Sequence, residues 1–179
     1  MLNEQEIIQM LQKADTREKA FEQVVREYQE PIYWQIRRLV LNHEDADDVL
    51  QNTFLKAWSA IDAFRGESKV KTWLFRIAIN ESLNFLEKKR QHIHLEESEN
   101  GVASMLQSDS YFDGDETQVM LQQAVGQLPD KQRAVFNMKY YQEMKYEDIS
   151  QILNTSVGAL KASYHHAVKK ITAFFDVND

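Results

Sequence analysis

Six polar side chains gather near the end of the chain: Lys161, Ser163, His165, His166, Lys169 and Lys170. Lysine donates hydrogen bonds, while serine and neutral histidine both donate and accept. On one face of a helix, such groups suit the phosphates and base edges of nucleic acid. The plainer alternative is a helical hairpin with a solvated polar face. A second set lies mid-chain, with Arg65, Lys69 and Lys71 around a glycine, then Asn80, Asn84, Lys88, Lys89 and Arg90 at helical spacing. Amides so placed reach base edges once the bases are accessible. A solvated helix whose basic end complements its own dipole explains the same residues equally well. A third set is acidic: Glu44, Asp45, Asp47 and Asp48, continued by Gln51, Asn52 and Lys56. It reads either as compensation of a helix dipole or as a docking surface for a basic partner.

Other chemistries have weaker support. Successive carboxylates on a helix diverge, so the acidic set is a poor metal site. His92 and His94 form a lone H-x-H without further ligands. The chain has no cysteine, which removes disulfides and thiolate metal sites. There is no evident nucleophile–base pair and no phosphate-cradling glycine loop. No enzyme activity, metal or cofactor is expected.

The elements that must position these groups are helical. Only five glycines and two prolines occur in 179 residues, with abundant helix formers. The spacing predicts a short helix over 4–14 and a second from near Thr16. Pro31 should kink this second helix or start a new one, and Tyr33 and Trp34 read as core aromatics. Asn42 is a plausible N-cap for a helix over 42–58, with Val49, Leu50, Phe54 and Trp58 facing inward. A loop around Gly66 leads to a helix running to about Arg90. Helices resume at 117–128 and again from Pro129-Asp130.

The stretch from Tyr146 to Ile171 then forms a helix-turn-helix. Ile149, Ile152 and Leu153 line its first helix. Asn154 tolerates the left-handed backbone that ends a helix, and Ser156 can cap the next one. Val157, Leu160, Tyr164, Ala167 and Ile171 recur at helical spacing and face a core. The second helix of such a pair can lie in a DNA major groove.

The net charge of −7 is unevenly spread. Residues 96–116 carry seven acids and no base, which equals the whole excess. That segment is also aperiodic and rich in Ser, Asp, Glu, Asn and Gly, so it reads as a flexible linker. The expected architecture is all-α: two small helical domains, residues 1–92 and 117–179, joined by an acidic linker at 93–116. The C-terminal domain is a four-helix module. No apolar run approaches the ~20 residues needed to cross a bilayer, and the N-terminus lacks a signal-peptide pattern. A cytoplasmic protein is the default.

Four blocks occur in register: HEDADDVLQNTFLKAW, FRGESKVKTWLFRIAIN, LPDKQRAVF and YEDISQILNTSVGALKASYHHAVKKI. Together they resemble the extracytoplasmic-function sigma factors of the sigma-70 family, over roughly Phe21 to Phe175. The resemblance implies two promoter-binding domains and core RNA polymerase as partner. The first domain would recognise and open the −10 element, and the second would bind the −35 element. Asp45, Asp47, Asp48, Gln51 and Asn52 would dock on the clamp of the largest polymerase subunit. The loop from Phe64 to Lys71 matches one that captures a base flipped from the non-template strand, with Trp73 just beyond it. Asn80 matches a base-reading position in the opened strand. Lys69, Lys71, Lys88, Lys89 and Arg90 would hold phosphates. Ser156, Lys161, Ser163, His165, His166, Lys169 and Lys170 would serve the −35 duplex. Many relatives carry arginines where this chain has Ser163, His166 and Val168, which points to an unusual −35 sequence. The family is commonly held by an anti-sigma factor, often membrane-bound. A plain helix-turn-helix regulator would explain only residues 117–179.

Overall fold

The computed structural model describes residues 2–93 and 114–178. Most of the expected acidic linker lies outside the described residues. Those residues form eight α-helices: α1 (Glu4–Gln12), α2 (Arg17–Val40), α3 (His43–Ala60), α4 (Val70–Ile93), α5 (Glu116–Gly126), α6 (Asp130–Tyr140), α7 (Tyr146–Leu153) and α8 (Val157–Asn178). A single 3₁₀ turn, Ile61–Ala63, follows α3.

Local chemistry sets several boundaries. Asn3 and Glu6 form a reciprocal capping box at the start of α1, at 2.9 and 2.8 Å. Asn42 caps α3 by accepting from the Asp45 N–H at 3.0 Å. Asp115 does the same for α5 through Gln118. Pro31, however, lies inside an unbroken α2. Loss of one backbone hydrogen bond there is offset by burial on both sides of it: Val24 before, and Ile32, Ile36 and Leu39 after, are all fully buried. Tyr33 and Trp34 are only half-buried. Trp58 is also misread by the sequence pattern, since it is 41% exposed and meets Phe21 edge-on at 5.1 Å. The buried stripe of α3 is Ala46, Val49, Thr53 and Ala57.

Two bundles result, α1–α4 and α5–α8, as the sequence suggests. They also share a core. Ala134, Val135, Met138, Met144, Ile149, Ile152 and Leu160 join one apolar cluster with Ile32, Ile36, Leu74 and Phe75. A smaller cluster between α5, α6 and α8 holds Val125, Leu128, Phe136, Ala167 and Ile171. Helices α2 and α4 therefore pack against α6 and α7. None of the described helices is long and apolar enough to cross a membrane.

Candidate nucleic-acid interface

The loop between the 3₁₀ turn and α4 is held from below. Gly66 has φ +74°, a left-handed conformation that side chains resist, and a Cβ there would meet Ile8 at 3.1 Å. Glu4 accepts a hydrogen bond from the Val70 N–H at 2.5 Å, so α1 caps the first turn of α4. Phe64 is 6% exposed and stacks on the buried Trp73, with centroids 4.5 Å apart. These two aromatics fix the loop from inside. Neither ring offers a free face in this conformation. Arg65 and Lys69 project into solvent, and Lys71 is half-buried beside the Phe75 ring.

On α4, Asn80, Asn84, Lys88 and Arg90 are exposed. Asn80 and Asn84 line a pocket of about 460 Å³ against the end of α3. Two of the expected phosphate-holding cations have internal partners. Lys89 pairs with Asp45 at 2.6 Å, and Arg90 pairs with Asp130 of α6.

That pairing also divides the acidic set. Asp45 turns toward α4, whereas Asp47, Asp48, Gln51 and Asn52 stay exposed on α3. Asp47 lies 3.3 Å from His43, whose Nδ1 meets the Tyr33 hydroxyl at 2.6 Å. Leu55 continues the exposed face and is 59% accessible. The sequence reading missed it, although it falls outside the inward stripe of α3.

The helix-turn-helix is built as its sequence predicts. Asn154 adopts φ 50°, ψ 47° and ends α7. Ser156 Oγ accepts from the Ala159 N–H at 3.2 Å and caps α8. Leu160, Ala167 and Ile171 are buried, which turns Lys161, His165, His166, Lys169 and Lys170 outward. Ser163 is half-buried, and it lines a cleft of about 350 Å³ together with Asn80. The two arrays therefore meet at one edge. His92 is exposed and His94 lies outside the described residues, among which no cluster of three or more metal-binding side chains occurs.

A buried cation lies behind both arrays. Arg133 of α6 donates to the Leu39 carbonyl of α2 at 3.0 and 2.7 Å, to the Leu128 carbonyl at 2.8 Å and to Asp130 at 3.2 Å. Burial, with Arg90 nearby, pulls its pKa down to about 10. Arg38 stacks over Tyr141 at 4.1 Å across the same seam. Burial lowers the pKa of Arg38 and raises that of Tyr141. Sequence reading missed Arg133, because its main partner is 94 residues away.

Known proteins agree with this arrangement. A family model for sigma-70 region 2 matches residues 24–92, and one for sigma-70 region 4 matches residues 118–171. The ECF RNA polymerase sigma factor SigW of Bacillus subtilis is 32% identical over 168 residues, 88% of this chain and 89% of its own length. The RNA polymerase sigma-H factor of Pseudomonas aeruginosa is 29% identical, over 94% of this chain and 91% of its own. Among solved structures, the fold is similar to the sigma factor RpoE bound to the anti-sigma factor NepR, from Bartonella quintana. The TM-score is 0.72 at 22% identity, covering 90% of this chain and 99% of that one. CnrH in complex with the cytosolic domain of CnrY gives a TM-score of 0.71 at 22% identity, covering 97% and 98%. With both halves matched in order and both polar arrays on matched segments, the chain belongs to the extracytoplasmic-function RNA polymerase sigma factors.

Proposed function

We propose that this chain gives core RNA polymerase its promoter choice at two elements and helps it open the duplex. Residues 1–92 handle the −10 element and the attachment to polymerase, and residues 117–179 read the −35 element. Asp47, Asp48, Gln51 and Asn52 form the attachment face. Asp45 serves it indirectly, by holding Lys89. Arg65, Lys69, Lys71 and Lys88 contact phosphates, while Asn80 and Asn84 contact bases of the opened strand. Lys161, His165 and His166 approach base edges at −35, with Ser156, Lys169 and Lys170 at the backbone. The protein acts by binding and not by bond making: tighter binding of the separated strand shifts the duplex equilibrium. The resemblance to sigma factors captured with anti-sigma factors supports an inhibitory partner for this chain as well.

The carrying observation is that the two exposed donor arrays lie on α4 and α8, one in each matched segment, with a separate acidic face on α3. The test is transcription with core polymerase and a promoter pool randomised at both elements. Start-site-specific transcripts with two enriched motifs are expected, and their absence would refute the reading. Asp48→Arg should reduce recovery of core polymerase in a pull-down about tenfold, as a close charge pair at an interface would. Undiminished recovery would remove the attachment face. Asn80→Ala should impair strand opening, read with permanganate, more than it impairs polymerase binding.

A further inference from the structure

The first residue of α7 carries an aromatic ring on which a cation of α8 rests. Tyr146 is half-buried and packs on the shared apolar cluster. The Lys161 ammonium, from the second turn of α8, lies 5.8 Å from the centre of that ring. The Lys139 ammonium, from the last turn of α6, lies 4.7 Å from it and also donates to the Met144 carbonyl at 3.2 Å. The ring is therefore a fixed platform, gripped by the core and by a lysine that is itself anchored. Among the described residues, the other exposed lysines of α8, Lys169 and Lys170, make no ring contact of this kind.

A lysine on a free stem is a poor reader of sequence. Its flexible chain has many rotamers, and fixing them on binding costs free energy. An aromatic face attracts the ammonium electrostatically and narrows that choice before the DNA arrives. The ring takes up one side of the ammonium, and the remaining N–H donors stay available. Residues near the start of a recognition helix are the ones that reach base edges in the major groove. Guanine places two acceptors there side by side, N7 and O6, and lysine is a fitting donor to both.

We propose that Tyr146 is a positioning residue: its ring aims Lys161 at a guanine of the −35 element and so turns a mobile charge into a base-selective one. This rests on the reading of α8 as the helix that enters the −35 groove. Tyr146 acts through the lysine and needs no contact with the DNA. The ring face does the positioning, and the hydroxyl is dispensable.

The test uses the full chain assembled with core polymerase on a promoter pool randomised at both elements. The wild type should enrich guanine at one −35 position, and Lys161→Ala should identify that position by losing the enrichment. Tyr146→Phe keeps a ring and should keep the enrichment. Tyr146→Leu removes the ring and should cut the enrichment about threefold, the size of a cation–ring contact at an exposed site, with −10 frequencies unchanged. In a Lys161→Ala background, Tyr146→Leu should have no further effect at that position, because its action runs through the lysine. A uniform fall in transcripts with unchanged base frequencies would leave Tyr146 a structural residue and overturn the proposal. Equal losses for the Phe and Leu variants would point to the hydroxyl and overturn it too, as would −35 frequencies that Lys161→Ala leaves unchanged. All three results leave promoter reading intact. A wild type giving no specific transcripts would refute the functional reading itself, and the positioning role with it.

Discussion

Arg133 is the residue on which most of the fold converges. Its guanidinium satisfies carbonyls from two different bundles, at Leu39 and Leu128, where helix ends leave acceptors without partners. Arg133→Met keeps much of the volume but leaves these acceptors buried. We expect a loss of about 3 kcal/mol in urea unfolding. Tyr28 gives a second test. Burial first, then Glu27 and Glu4, pushes its pKa up to about 12 from an ordinary 10. Between those values the folded chain keeps a proton that the unfolded chain releases. The associated stabilisation is therefore full below pH 10 and disappears as pH rises through 12. Tyr28→Phe should unfold at a urea midpoint that changes less between pH 9.5 and 11 than the wild-type midpoint does. At this scale the outward groups of α8 were legible in the sequence, because helical spacing fixes which residues face away from Leu160 and Ala167. The inner pairings were not. Lys89 with Asp45, and Arg133 with Leu39, join residues far apart in sequence, and no local pattern encodes them.

The turn between α7 and α8 is the element the sequence described most fully, since its determinants are local. Asn154 at φ 50° ends one helix and Ser156 caps the next. Asn154→Ala should lower stability by about 1 kcal/mol, and Asn154→Gly should be near neutral, both measurable by thermal unfolding. On α8 itself, Lys161→Ala and His166→Ala should each change the enriched −35 sequence in the randomised pool, because both side chains are exposed. The α2 helix shows the opposite case. A proline at position 31 argues locally for a break, yet the apolar face on either side of it holds the helix straight through. Trp58 failed in a similar way: counting apolar residues along α3 placed it inward, but the small residues Ala46, Thr53 and Ala57 define the buried stripe.

For the whole molecule, the main difference from the sequence reading is the shared core between the two bundles. Composition showed the acidic segment and so suggested independence. It could not show that Val135, Met138 and Ile149 would complete the core built by Leu74 and Phe75. The seam is not uniformly apolar. Gln35 on α2 and Asn137 on α6 are fully buried, and neither amide group has a hydrogen-bond partner among the described residues. These are the same two helices that Arg133 ties together. Replacing both amides by leucine should raise stability, since each stranded polar group costs roughly 1–3 kcal/mol. Such a variant should also start transcription more slowly after mixing with core polymerase. The wild-type amides act like grit in a seam: wetting them is favourable, so parting α2 from α6 at this point costs less than parting two apolar faces would.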